Sequence, residues 1–255
     1  FIILLFTIYY LLFLWLGLKR KLNIKKVKWL IGLTVGVLIF SYPAFSHDIF
    51  NYILTAKVTY FYGENPYLIM PIEFVGDPNL AWTRAANKIA LYGPSWVGLT
   101  AIPHFLSFNN IVLAILMFKL LIISFYLAAI ILIYKISKSL FPVVLFALNP
   151  LVVIETLVSA HNDIVMMFLA LLSFFFLIKK QLVWASIFLF LSILIKYATI
   201  FLVPIFLLTI FRILRKEKII WNNVFYISAW SMLIVFFISI FREEIYPWYV
   251  IWILS

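Results

Sequence analysis

Long apolar runs separated by short polar stretches set the pattern of this chain. Residues 1–18, 29–45, 111–134, 140–158, 164–178, 182–195, 197–211 and 220–241 are each dominated by Leu, Ile, Val and Phe. A helix rises about 1.5 Å per residue, so roughly 20 apolar residues cross a bilayer core of about 30 Å. The pattern predicts eight membrane-spanning helices, several of them short, and the beginning of a ninth at the C-terminal end. The fold class expected is an all-α polytopic membrane protein forming one transmembrane domain over residues 1–255. The sequence starts inside an apolar run without Met and stops just after another has begun, so it reads as a fragment cut at both ends.

One stretch interrupts the pattern. Residues 46–67 read SHDIFNYILTAKVTYFYGENPY, with Asp48 directly after an apolar run. A carboxylate at the rim of a hydrophobic span is costly unless something uses it. Within residues 49–62, Phe50, Ile53, Leu54, Val58 and Phe61 share one helical face, and Asn51, Thr55, Thr59 and Tyr62 another. That is an amphipathic helix suited to the membrane interface, with Asp48 at its N-cap and Gly63 as its stop. Residues 81–90 read as a second short helix with Arg84 and Lys88 on one face.

Composition sharpens this. The chain is 67% hydrophobic and 11% charged, against about a quarter charged in soluble domains. With no cysteine there is neither a disulfide framework nor thiolate chemistry. The net charge of +11 does not point to nucleic acid, because the basic residues sit in short loops between apolar runs. They fix a topology instead. If residues 93–108, with Pro94, Pro103 and His104, lie in the interface rather than span, fourteen of the 20 Lys and Arg fall on the cytoplasmic side. All three histidines, and every acid except Glu217, then fall on the outer side. A spanning helix at residues 93–108 would destroy that separation.

Polar clusters therefore converge on one membrane face: His47–Asp48, His161–Asn162–Asp163 and residues 242–248 (REEIYPW), with Lys196 at a span end. This suits chemistry on a phosphate-linked, sugar-bearing lipid. A carboxylate must take a hydroxyl proton as it attacks the anomeric carbon, and Asp48, with Asp163 second, is the candidate. Cations and polar groups must meet the departing phosphate, and Lys196, Arg84, Arg242, His161 and Asn162 are placed for that. His47, Tyr92, Trp248, Tyr249 and Glu243 are candidates for the sugar and acceptor. Plainer roles stay open: Asp48 and Asp163 as helix caps, Lys196 as a snorkelling anchor, Arg84 and Lys88 as solvated or lipid-headgroup contacts, Trp248 and Tyr249 as an aromatic belt. The histidines with carboxylates leave a divalent metal possible. Glu155 falls near the outer end of its span without a defined role.

Several pieces carry a resemblance, in order from Ser46 onward: SHDIFNY at 46–52, GENPY at 63–67, YGPSW at 92–96, NPLVVIETLVSAHND at 149–163, LIKYATIFLVP at 194–204 and YPWYVIW at 246–252. Together they resemble the polyprenol-phosphomannose-dependent alpha-1,6-mannosyltransferases of the GT-C superfamily of membrane glycosyltransferases. The resemblance implies a GT-C-like helix bundle with a large first extracytoplasmic loop, residues 46–108, carrying interfacial helices. It implies a polyprenyl-phosphate sugar donor, a glycan or lipid acceptor, inversion at the anomeric carbon, and an acid in the first large outer loop as base. Asp48 matches that acid. His47 stands where arginine is expected, and SAHND replaces a more glycine-rich segment.

The function expected is a glycosyltransferase, mannose being the implied sugar, in a prokaryotic cell membrane with its active site outward. A transporter or lipid flippase using the outer polar cluster as a substrate path is the alternative from another class, and a noncatalytic scaffold a third. Transport calls for ionisable residues near the bilayer midplane and functional polar groups on the inner side, whereas this sequence puts its acids almost wholly outside, which favours the enzyme.

Overall fold

A computed structural model describes residues 2–19, 23–239 and 247–255, and every regular element among them is helical. In chain order these are α1 (Ile2–Leu18), α2 (Ile24–Leu38), α3 (Asp48–Tyr60), α4 (Pro94–Leu99), α5 (Ala101–Leu106), α6 (Ile111–Ser137), α7 (Leu140–Ala147) and α8 (Pro150–Val153). A π-helical turn, Ile154–Val158, continues α8. Then come α9 (Asp163–Ile178), α10 (Leu182–Ile193), the 3₁₀ segment Tyr197–Leu202, α11 (Val203–Leu214), α12 (Trp221–Ser239) and α13 (Ile251–Leu254).

Short polar residues start the long helices. Asn110 accepts from Leu113 N at the head of α6 (3.0 Å), and Asn149 accepts from Leu151 N at the head of α8 (2.9 Å). Each side-chain oxygen satisfies a backbone N–H that the first turn leaves without a partner. The end of α2 is held differently. Lys119, buried on α6, donates to Leu38 O (2.7 Å) and Ser41 O (2.6 Å). An ammonium there meets the last carbonyls and the negative end of the helix dipole.

Helix α6 runs through the core, with Phe118, Ile122, Tyr126 and Ala129 almost wholly buried, and α9 packs along it. Helix α10 returns against α9, where Ser192 Oγ donates to Met166 O (2.8 Å). Burying an apolar side chain is worth about 25 cal/mol per Å² removed from contact with water. In a lipid setting close packing and hydrogen bonds such as that of Ser192 hold helices together instead.

Among the described residues, three helical stretches are long and apolar enough to cross a membrane: Ile111–Ser137, Tyr197–Leu214 and Trp221–Ile238. A fourth arises if Leu140–Ala147 and Pro150–Val158, bent by 56°, form one broken span. The eight runs are therefore not eight helices of spanning length. Helix α9 has 16 residues and α10 only 12, about 24 Å and 18 Å long. The run at 29–45 ends its helix at Leu38, where Lys119 terminates it. Residues 93–108 form two six-residue helices, α4 and α5, neither of spanning length.

Helix α3 departs from its expected amphipathic form. Residues Ile49, Phe50 and Tyr52 to Val58 are all buried, Thr55 and Lys57 among them, while Phe61 is exposed. The helical wheel assumed one covered face. In the fold α4, α5 and α6 cover part of α3, and the loop at 71–82 covers more of it. That loop is pinned by Asp77, whose Oδ2 pairs with Lys57 Nζ (2.7 Å) and accepts from Tyr62 OH (2.6 Å). The second short helix expected at 81–90 is absent. Asp77 and Pro78 instead start a 3₁₀ turn, Pro78–Trp82, and the chain beyond it is irregular.

Candidate active site

Two aspartates open helices at one place. Asp48 is the first residue of α3 and Asp163 the first of α9; the cap positions belong to His47 and Asn162, and neither makes a side-chain capping bond. Both carboxylates gain from the positive end of a helix dipole, but their side chains turn to partners from distant segments.

His161 lies between two acids. Its Nδ1 is 3.3 Å from Asp48 Oδ2 and its Nε2 3.3 Å from Glu155 Oε2, and the ring is fully buried. Asp163 Oδ2 takes Lys196 Nζ at 2.7 Å, and its Oδ1 accepts from Trp252 Nε1 at 2.6 Å. The backbone N–H of Asn162 donates to Tyr52 OH (3.2 Å). Tyr52 in turn packs edge-on to Tyr92 (centroids 4.7 Å apart) and Trp96 (4.8 Å), and the Tyr92 hydroxyl bonds Asp48 and Asn51. The Asn162 side chain is fully buried, and neither its Oδ1 nor its Nδ2 has a hydrogen-bond partner among the described residues. Buried polar groups are normally satisfied, so an amide in that state is suited to receiving a ligand.

The YGPSW segment brings these parts together. Gly93 N donates to Ile195 O and Ser95 N to Leu194 O, each at 3.0 Å, so Tyr92 and Lys196 are locked side by side. Only glycine allows this approach: a Cβ on Gly93 would lie 2.1 Å from Leu194 O.

Charge settles the protonation states. Burial pushes the Asp48 carboxyl up, but the His161 ring, the Lys196 charge and the Tyr92 hydroxyl together hold it below the usual 3.8. Burial pulls His161 down, yet its hydrogen bonds to Asp48 and Glu155, with their charges and that of Asp163, raise it above 6.5. Burial, then the nearby carboxylates, push Tyr52 and Tyr92 well up, so both remain neutral donors. The site sets an ionised aspartate against a histidine whose protonated form is favoured.

Of the residues singled out from sequence, Asp48, His161, Asn162, Asp163, Lys196 and Tyr92 come together. Arg84 does not: it is exposed in the loop after the 3₁₀ turn, without a hydrogen bond or ion pair among the described residues. His47 is half-buried and rests on Phe50, its ring centroid 5.9 Å away. Tyr249 stacks on Trp252 at 4.2 Å and so borders the Asp163 partner. Arg242, Glu243 and the Trp248 side chain lie outside the described residues. Sequence reasoning missed Tyr52 and Trp252, and gave Glu155 no role. For Glu155 a signal existed: a lone acid in an apolar run needs a partner. Among the described residues no group of three or more His, Asp or Glu is arranged to hold a metal ion.

An all-helical apolar bundle with carboxylates, a histidine and a lysine gathered at the ends of its helices suits a membrane-associated enzyme. The chain belongs to the alpha-(1→6)-mannopyranosyltransferase family, whose N-terminal-domain model matches residues 1–212. It is therefore a glycosyltransferase of the mannosyltransferase kind, which leaves the transporter alternative without support. No curated protein and no solved structure matches the chain.

Proposed function

We propose that this mannosyltransferase moves a mannosyl unit from a polyprenyl-phosphate donor to an acceptor hydroxyl, with inversion, using Asp48 as general base on the extracytoplasmic face. The observation that carries the reading is accessibility. Within a cluster otherwise closed to solvent, the Asp48 side chain is 22% exposed and that of Lys196 19%, whereas those of Asp163 and His161 are fully buried. One carboxylate and one ammonium of the cluster thus remain within reach of a ligand, as a displacement at a phosphorylated carbon requires.

The chemistry follows from these two groups. The acceptor oxygen forms the new bond to the anomeric carbon as its proton passes to the Asp48 carboxylate. The bond from that carbon to the phosphate oxygen breaks, and polyprenyl phosphate leaves as an anion. Lys196 stabilises the growing negative charge, and the Asn162 amide supplies a further polar contact. Asp163, with both oxygens engaged, orients Lys196 and does not receive the proton. Attack opposite the leaving group inverts the centre in a single step.

The charge separation along the sequence supports an outward-facing site, and its acceptor is a glycan or lipid hydroxyl. The test offers the protein in native membranes a panel of polyprenyl-phosphate sugars and nucleotide sugars. Mannosyl transfer from the polyprenyl donor, giving the opposite anomeric configuration, is the expected outcome. Transfer from a nucleotide sugar alone would overturn the donor assignment.

A further inference from the structure

We propose that Glu155 is a positioning residue for this reaction, holding the His161 ring in register with Asp48 through a π-helical turn built for that purpose. The inference rests on the reading of Asp48 as the base.

On a regular helix residues six apart point about 120° from one another, so Glu155 and His161 would face different ways. Two local departures bring them together. The turn Ile154–Val158 is π-helical, closed by Ser159 N donating to Ile154 O at 2.9 Å. Ala160 then adopts a left-handed conformation (φ +58°), which a non-glycine residue rarely takes. The result is a double clamp: His161 N donates to Glu155 O (3.0 Å), and the Glu155 carboxylate meets Nε2 of the same residue (3.3 Å). Widened helical turns concentrate at functional sites, and strained residues persist where the surroundings hold them.

A structural role alone does not account for the residue. An apolar side chain would fill the position without the penalty of a buried carboxylate. What Glu155 adds is negative charge on the far side of the ring from Asp48. It sets one carboxylate 3.3 Å from Nε2 while Asp48 lies 3.3 Å from Nδ1, so the ring sits between two acids and its protonated form is favoured. The other groups acting on the ring are Asp48 of α3 and Asp163 of α9; Lys196 and Tyr92 act on it through Asp48, whose carboxyl they also face.

The test is Glu155→Gln in the membrane-embedded protein, which keeps size and one hydrogen bond but removes the charge. With three histidines in the sequence, ¹⁵N-histidine NMR follows His161 without reference to activity. The expected result is a His161 titration moved to lower pH, an alkaline limb of kcat moved the same way, and an unchanged donor KM. The loss in kcat should be on the order of 10- to 100-fold, the scale of removing the partner that orients a functional histidine. An unmoved His161 titration with wild-type kcat would overturn the proposal. If Glu155→Gln fails to accumulate, Glu155→Asp decides: it retains the charge one methylene short, so His161 should still titrate high while kcat falls, and full activity would count against positioning. Asp48→Asn run in parallel separates the two readings. Transfer surviving in Asp48→Asn defeats the base assignment, whereas its loss there with an indifferent Glu155→Gln defeats only this inference.

Discussion

Replacing Gly93 by alanine tests whether the YGPSW segment sets the geometry of the site. The added Cβ would sit 2.1 Å from Leu194 O and 2.7 Å from Leu194 C, where ordinary contact begins near 3.4 Å. Both neighbours are backbone, so no side chain can swing aside. The two segments must part by roughly 1 Å, the scale on which misplacement lowers a rate about 10²-fold. The hydrogen bonds Gly93 N to Ile195 O and Ser95 N to Leu194 O lie at the same contact and weaken with it. Lys196 follows directly and Tyr92 directly precedes, so the displacement falls on the ammonium and the hydroxyl that flank Asp48. The assay is mannosyl transfer by membranes matched for protein content, beside thermal unfolding in detergent. Gly98→Ala is the control, because nothing lies within 4 Å of its added Cβ. Gly93→Ala should lose about two orders of magnitude in rate, and Gly98→Ala almost nothing. Equal activity of the two variants would show that this contact does not position the site.

Other residues give independent expectations. Lys57→Met strands Asp77, fully buried, without its cation, and should lower unfolding stability by about 3–5 kcal/mol in denaturation experiments, with Lys57→Arg milder. Lys196→Ala should raise the donor KM about 10- to 100-fold, as expected for losing a hydrogen bond to a charged group, in kinetics with varied donor. Unaltered donor kinetics would reduce Lys196 to a structural partner of Asp163. The pH dependence has a definite sign. Asp48, held low, contributes stability above 3.8 that is lost as pH falls through its depressed value. His161, held high, contributes stability fully present below 6.5 that is lost as pH rises through its raised value. Melting temperature should therefore decline on the alkaline side, and His161→Gln should flatten that decline.

Part of the site was legible because charge in apolar surroundings is conspicuous. Asp48, His161, Asp163 and Lys196 stand out against their neighbours, and the fold does gather them. Glu155 is as conspicuous, but regular helical spacing turns it away from His161, and neither the π turn nor the left-handed Ala160 has a local sequence signal. Tyr52 was hidden for another reason. A periodicity argument assigns α3 one buried face, whereas a loop some twenty residues later, held by the Lys57–Asp77 pair, covers another. The helix expected at 81–90 fails by the same kind of step, since Asp77 and Pro78 start a 3₁₀ turn that ends at Trp82, and Arg84 follows it exposed, in keeping with a solvated role. Helix count suffered because apolar composition marks burial and membrane alike. It cannot show that α10 stops after 12 residues, where the chain bends to present Lys196.

Asp48→Asn is the most direct test of the central claim. The amide keeps the size of the side chain and can still accept from Tyr92, but it has no basicity. It also removes one of the two acids beside the buried His161 ring, so stability should fall, and the comparison is made on equal amounts of folded protein. Single-turnover transfer, measured with saturating polyprenyl-phosphate mannose and equal amounts of folded protein, isolates the chemical step. The expected result is normal accumulation, retained donor binding and a rate lower by about 10²- to 10⁴-fold. A near wild-type rate in Asp48→Asn would contradict the account, because no other carboxylate of the described cluster opens to the acceptor as Asp48 does.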